Sequence, residues 1–259
     1  SDHIGRYPLI MVSPYDHDII NDGSDLRRKF FDVIISQFDK EYLHQLISYQ
    51  KILMQRNIHL KQCIESRNYD KTLIHVFDAQ LIPLGAYIHQ KRKEFIAAIL
   101  PVFKKYYQDL SGNREEVDIQ YESGLHESSM EEGLDNAISL DFRCGYTNFG
   151  IHKDDFLFYI NGNSVKRYGS QGQQKSFALG LKLSEFEYIY QQKQQKPILL
   201  LDDIFDKLDP KRTAHLLDLV GRDFFGQVFI SDTDEQRVTQ ILTRFGISHS
   251  LHNVSQSGK

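Results

Sequence analysis

The segment that most constrains the fold is an unbroken aliphatic run from Ile198 to Leu201 that ends in two adjacent carboxylates, Asp202 and Asp203. No polar side chain interrupts the run and Pro197 precedes it, so it predicts a strand buried inside a sheet. A buried strand exposes charged groups only where it emerges from the core. The two aspartates are therefore expected at its carboxyl end, the edge at which open α/β sheets bind ligands.

The final ninety residues alternate between helical and strand-like patterns around this run. A polar loop is predicted at 191–196. In chain order, the other segments are a helix at 170–192, a strand at 197–203, a helix at 210–221, a strand at 226–233, a helix at 234–246 and a strand at 247–254. Such alternation predicts a mostly parallel sheet covered by helices.

The middle of the chain has a helical pattern from Ser24, which is predicted to be an N-cap, to about residue 110. Pro83 and Pro101 are expected to kink or break the last of these helices. Long helices with no strand between them predict an antiparallel helical lobe.

Shorter patterns complete the secondary structure. They are a buried strand at 8–14, a strand at 116–123, a short helix at about 130–145, and a hairpin at 156–169 that turns at Asn161-Gly162. The fold class is therefore α/β, with one lobe from residues 1–23 and 145–259 and a mainly helical lobe from residues 24–144.

Charge is unevenly distributed over these segments. Residues 24–112 carry 14 basic and 9 acidic side chains, which leaves 17 basic and 26 acidic side chains elsewhere. A basic segment beside an acidic one fits a surface for a polyanion and carboxylates for a metal-nucleotide, although solvated helix faces give the same count. The candidate phosphate contacts are long cationic side chains in the helical lobe: Arg27, Arg28, Lys29, Lys91, Arg92, Lys93, Lys104 and Lys105.

A second polar motif, residues 170–174 (SQGQQ), stands at a helix start about thirty residues before the acidic strand. Backbone N–H groups, a hydroxyl and the positive end of a helix dipole together suit a phosphate, and Lys175 adds a cation. Taken alone, Ser170 is equally compatible with an ordinary N-cap. Asp202 and Asp203, taken alone, are equally compatible with solvated acids at a strand end.

Together the two motifs resemble those of a known family. Residues 169–186 followed by 196–212 are similar to the signature, Walker B and D-loop motifs of the RecF family of ABC/SMC-type ATPases. The resemblance continues in the same order through GRYPLIMVSPYDHDII, the stretch that begins at Gly23, and GIHKDDFLFYING. It implies an ABC-type P-loop ATPase lobe interrupted by the helical lobe.

The resemblance also assigns roles to residues. Ser170, Gln171, Gly172 and Gln173 match the signature, which contacts ATP bound by a second copy of the chain. Asp202 matches the Mg²⁺-orienting acid and Asp203 the group that polarises the attacking water. Asp209 matches the D-loop aspartate, and Thr233 stands where related ATPases place a switch histidine, which puts its role in doubt.

The family resemblance further implies an ATP-dependent homodimer in the cytoplasm that binds single-stranded and gapped DNA. With RecO and RecR, such a dimer helps to load RecA at gaps. The chain departs from the family pattern in one respect, because no GxxxxGK[ST] loop occurs in it. We therefore expect a C-terminal part of a longer protein, inactive alone.

Composition limits the alternatives. No apolar run approaches eighteen residues, which argues against a membrane span, and the start lacks the apolar segment of a signal peptide. Cys63 and Cys144 are far apart and predict neither a disulfide nor a zinc site. Two other functions stay open: a helical interaction module with a decayed ATPase lobe, and a Toprim-type metal nuclease site at the acidic strand.

Overall fold

The computed structural model describes residues 7–69, 71–203, 210–221 and 225–254. Its strands are β1 (Leu9–Val12), β2 (Val117–Glu122), β3 (Asp155–Ile160), β4 (Asn163–Ser164), β5 (Ile198–Asp202) and β6 (Val228–Ser231). Its helices are α1 (Asp18–Asn21), α2 (Ser24–Phe38), α3 (Lys40–Ser66), α4 (Lys71–Ser111), α5 (Met130–Cys144), α6 (Val165–Tyr168), α7 (Gln171–Lys193), α8 (Pro210–Gly221) and α9 (Glu235–Arg244).

A parallel sheet forms in the order β1-β5-β6, with Ile10 opposite Leu199 and Leu201 opposite Ile230. The predicted parallel sheet is thereby confirmed. One face is buried in a core with residues of α7, α8 and α9. The prediction that the strands are buried on both faces is wrong. On the other face of the sheet, Met11 of β1 and Phe229 of β6 are 45% and 51% exposed.

An antiparallel sheet forms in the order β2-β3-β4, with Val117 opposite Ile160. The predicted turn is confirmed, since Asn161 and Gly162 both have positive φ, 49° and 75°, as a tight two-residue hairpin requires. The second strand is only two residues long and continues into α6. Because β2 and β3 come from opposite sides of the predicted lobe boundary at 144, this sheet joins the two segments.

The helix α4 runs unbroken through Pro83 and Pro101, so the predicted breaks are wrong. Both prolines are exposed, as are Ala79 and Ala97, the residues four positions before them. Water can therefore solvate the carbonyls that lose their backbone hydrogen bonds. No helix in the described ranges is long and apolar enough to cross a membrane.

Two predicted element ends differ in the structure, and one predicted strand does not form. The N-cap of α2 is Gly23, and Ser24 is already helical. α7 extends into the predicted polar loop to Lys193, because glutamine and lysine are good helix formers, and Gln194, with φ of 55°, is its C-cap. Residues 247–254 form no strand; their largely exposed side chains gain no burial from pairing with a sheet.

A partly buried histidine links α3 to the segment before β3. His152 Nε2 donates to the Thr147 carbonyl at 3.0 Å, so its Nδ1 is left to accept from the Tyr49 hydroxyl at 2.9 Å. Burial lowers the pKa of His152 to about 4, because the imidazolium would lose its hydration.

Stability is expected to fall on acidification because of this histidine. Its folded pKa lies below its unfolded value of about 6.5, so its contribution is intact above pH 6.5 and is lost as the pH falls toward 4. The full loss is about 3 kcal/mol. Urea unfolding of wild type and His152→Gln at pH 7 and pH 4.5 checks this, since glutamine keeps the donor to Thr147 but does not titrate. The exposed His44→Gln serves as the control, and an equal pH dependence in all three proteins would contradict the expectation.

Candidate nucleotide site and nucleic-acid surface

The two aspartates of the acidic strand lie at the carboxyl end of β5, as predicted. The Ser231 hydroxyl at the end of β6 donates to Asp202 Oδ1, and the Asp203 amide donates to the Ser231 carbonyl at 3.1 Å. Asp203 has φ of 45°, a left-handed conformation that aspartate tolerates better than most residues. β6 thus fixes the backbone of the acidic turn, while both carboxylates stay partly exposed.

The start of α7 is fixed by a reciprocal cap, which confirms Ser170 as the N-cap. The Gln173 amide donates to Ser170 Oγ at 3.2 Å, and the Ser170 amide donates to Gln173 Oε1 at 2.8 Å. Gln173 also donates from Nε2 to Glu115 Oε1 at 2.8 Å. Ser170 and Gln171 stay exposed at the positive end of a helix of 23 residues.

A cavity of about 520 Å³ brings the two motifs together within one chain. Its lining includes Gln171, Gln174 and Lys175 from α7, Asp203 from the acidic turn, and Pro14, Tyr15, His17 and Asn21 from the segment after β1. Sequence reasoning missed the last group. Their position after a strand of the same parallel sheet was the available signal, because carboxyl ends of parallel strands share one edge.

Two further site residues were predicted, a D-loop aspartate and a switch position. Asp209 lies outside the described residues. Thr233 is exposed, two residues beyond Ser231, and its role stays a prediction. Sequence reasoning assigned nothing to Ser231, which is the residue that contacts Asp202.

The carboxylates of the acidic turn fit Mg²⁺ that arrives with a nucleotide. Within the described residues, no group of three or more His, Cys, Asp or Glu side chains could hold a metal ion. Mg²⁺ is commonly held by one or two carboxylates together with substrate phosphates and water. Asp202 can supply the protein carboxylate of that ligand set.

Two of the predicted phosphate contacts are buried and must be removed from the candidate surface. Arg92 is 1% exposed and pairs with Asp32 at 2.9 Å and Asp154 at 2.8 Å. Arg27 is 6% exposed and pairs with Asp155 at 2.7 Å. Their guanidinium groups are satisfied inside the fold and cannot reach a phosphate backbone.

The other six candidates lie nearer to solvent, but most have acidic neighbours. Arg28 pairs with Asp25, and the remaining pairs are Lys91 with Asp39 at 3.1 Å, Lys104 with Asp118 at 3.5 Å, and Lys105 with Glu187 at 3.6 Å. Lys29 and Lys93 are exposed. These six residues remain a prediction.

Comparison with known proteins relates the chain to one family throughout. It is 45% identical over 254 residues to the DNA replication and repair protein RecF of Flavobacterium johnsoniae, which covers 98% of this chain and 71% of the relative. The corresponding protein of Parabacteroides distasonis is 43% identical over 256 residues, with 99% and 69% covered. A scan against protein-family models gave no match.

Comparison with solved structures relates the chain to the same family. A structure of the recombination mediator protein RecF with ATPrS, in the RecFOR pathway, superposes with a TM-score of 0.80 at 31% identity over 90% of this chain. A structure of RecF with ATP superposes with a TM-score of 0.79 at the same identity. The chain spans about 70% of the curated relatives' length and 64% of the solved chains.

Proposed function

The chain belongs to the RecF family of DNA replication and repair proteins, and from this premise we propose that the intact protein is a DNA-binding ATPase of recombinational repair. One observation carries the proposal: Asp202 and Asp203 end β5 at the carboxyl edge of the parallel sheet, where Ser231 of β6 fixes the acidic turn. Phosphoryl transfer depends on positioned charges and donors of this kind.

In the proposed reaction, Asp203 accepts a hydrogen bond from the attacking water and directs it at the γ-phosphate. Asp202, held by the Ser231 hydroxyl, would hold Mg²⁺ or its water shell. When bound, Mg²⁺ supplies charge neutralisation for the phosphates. The positive φ of Asp203 turns the chain sharply at the end of β5, so that two successive carboxylates can take different roles.

The start of α7 is proposed to act on ATP held by a second copy of the chain. Its polar groups are the Ser170 hydroxyl, the backbone amides of Gln171 and Gly172, and the Lys175 ammonium, while the Gln173 side chain holds the cap. The hydroxyl, the amides and the ammonium offer hydrogen bonds and positive charge to a γ-phosphate. ATP would thus hold two chains together as a homodimer. Its proposed partners are single-stranded and gapped DNA, RecO and RecR, and its task is to help load RecA at gaps.

The 259-residue chain alone is expected to hydrolyse ATP negligibly, whereas the intact protein should hydrolyse it. The chain has no GxxxxGK[ST] loop to cradle the β-phosphate, and positioning of the phosphates supplies most of the catalysis. To check this, both proteins are purified a second time, and the rate of phosphate release from ATP is measured for each with and without gapped DNA. Turnover by the chain above a buffer blank would contradict the first expectation. An intact protein without ATPase activity would overturn the proposed function and favour a helical interaction module.

A further inference from the structure

A basic and aromatic surface extends from the turn between α3 and α4, past the carboxyl end of α5, to the segment before β3. We call it the tip patch and define it by six exposed side chains: Lys61, Arg67, Tyr69, Arg143, Tyr146 and Lys153. Tyr69 is 52% exposed and Tyr146 is 44% exposed. Residues 143–153 contain no acidic side chain, and Glu65 is exposed nearby.

The cations of the tip patch differ from those of the earlier candidate surface in one respect. Within the described residues, Lys61, Arg67, Arg143 and Lys153 form no ion pair with an acidic side chain, whereas Lys91, Lys104 and Lys105 all do. An anionic partner therefore meets them without first displacing a carboxylate of the part of the chain that the structure describes. Such cations should speed the association with an anionic partner and make it sensitive to salt.

The aromatic rings of the patch lie beside these cations. Lys153 Nζ lies 4.9 Å from the centre of the Tyr146 ring. Tyr69 meets the ring of Phe142, the neighbour of Arg143, at 5.4 Å in an edge-on contact, which leaves a face of Tyr69 available.

The patch is held in place by close packing of α5 on α3. A Cβ atom at Gly145 would lie only 3.1 Å from Ile64 Cδ1 and 3.5 Å from Lys61 Cγ, so glycine allows the approach. Tyr146 is the next residue in the chain after Gly145. The Thr147 amide then donates to Asn57 Oδ1 of α3 at 2.8 Å, which fixes this segment against the helix.

A buried arginine beneath the patch ties the same elements together. Arg56 of α3 is fully buried and donates to Asp78 of α4 at 2.7 Å, to Asp141 of α5 at 2.6 Å and to Thr147 at 2.9 Å. The backbone that carries the patch is thus preorganised, which lowers the entropic cost of binding.

We propose that the tip patch binds a single-stranded segment of nucleic acid, an inference that rests on the proposed DNA-binding function. The four cations contact backbone phosphates, and Tyr69 and Tyr146 stack on bases. Single strands fit better than a duplex, because only unstacked bases offer their faces to an aromatic side chain. No base-reading pattern is present among the six residues, so binding is independent of sequence.

The test uses the intact protein and the fluorescence anisotropy of labelled oligo(dT), titrated at several salt concentrations. Lys61→Gln/Arg143→Gln is expected to flatten the slope of log K against log salt by about 1.4, since each phosphate contact on a single strand contributes about 0.7. Tyr69→Ala/Tyr146→Ala is expected to weaken binding by about thirtyfold or more, and Tyr69→Phe/Tyr146→Phe to retain it. Lys40→Gln/Lys51→Gln removes two exposed charges from the same helix, α3, as the matched control and should behave as wild type.

The outcomes separate this inference from the proposed function. If wild type binds no DNA, the proposed function fails. If wild type binds oligo(dT) and both patch variants bind it equally well, the tip patch is not a nucleic-acid surface, and an acidic protein becomes its expected partner. Should the Tyr→Ala variant fail to fold, photo-crosslinking of wild type to oligonucleotides containing 5-iododeoxyuridine decides the question. Crosslinks at Tyr69 or Tyr146 support stacking, and their absence overturns it.

Discussion

Replacing Asp203 by asparagine in the intact protein is expected to slow ATP hydrolysis by about 10²- to 10⁴-fold, while ATP still binds. The carboxylate is proposed to orient the attacking water, and the amide that replaces it has nearly the same volume but no charge. Asparagine also tolerates the left-handed backbone at this position, where φ is 45°, so the turn after β5 should not change. The loss should therefore fall on the chemical step.

Single-turnover phosphate release and equilibrium ATP binding separate the two effects. The matched control is Asp135→Asn, the same change at an exposed position of α5, and it should hydrolyse ATP as wild type does. Hydrolysis by Asp203→Asn at the wild-type rate would show that Asp203 does not orient the water. A parallel loss of ATP binding would instead assign it to substrate binding.

Local patterns were sufficient to predict the acidic turn and the cap of α7. An aliphatic run has to end where its first charges appear, which placed Asp202 and Asp203 at the end of β5. Ser170 and Gln173 are three residues apart, the spacing of a reciprocal cap, and that cap forms. In each of these places a few neighbouring residues determine the geometry.

Features that depend on distant partners could not be predicted in this way. Arg27 and Arg92 look like surface cations in the sequence, but their carboxylate partners Asp155 and Asp32 lie 128 and 60 residues away. Ser231 meets Asp202 only because of the register between β6 and β5. Burial and register are properties of the packed fold, and a single sequence does not contain them explicitly.

The prolines of α4 illustrate a different limit of prediction from sequence. The rule that proline breaks a helix concerns the lost hydrogen bond, and its cost depends on whether water can reach the freed carbonyl. Exposure of Pro83 and Pro101 removes most of that cost, and the packing of α4 against its neighbours keeps the helix continuous. Local propensity predicted the helix and its end near residue 110 correctly, and the breaks at the two prolines incorrectly.

Replacing Ser170 by arginine in the intact protein is expected to abolish the ATP-dependent dimer while each monomer still binds ATP. In the proposed dimer, the start of α7 contacts the γ-phosphate held by the other chain, and Ser170 is exposed there. An arginine side chain is too large for that contact and removes the acceptor for the Gln173 amide. Analytical ultracentrifugation with and without ATP measures the result.

Loss of the cap alone could also weaken the dimer, so a second variant has to separate the two causes. Ser170→Asp keeps an oxygen acceptor for the Gln173 amide and should fold as wild type does, because aspartate is as good an N-cap as serine. Its negative charge opposes that of the γ-phosphate, so it too should remain monomeric with ATP, whereas Ser170→Thr should dimerise. An ATP-induced dimer of Ser170→Asp equal to that of wild type would mean that Ser170 only caps α7 and that the partner's phosphate is bound elsewhere.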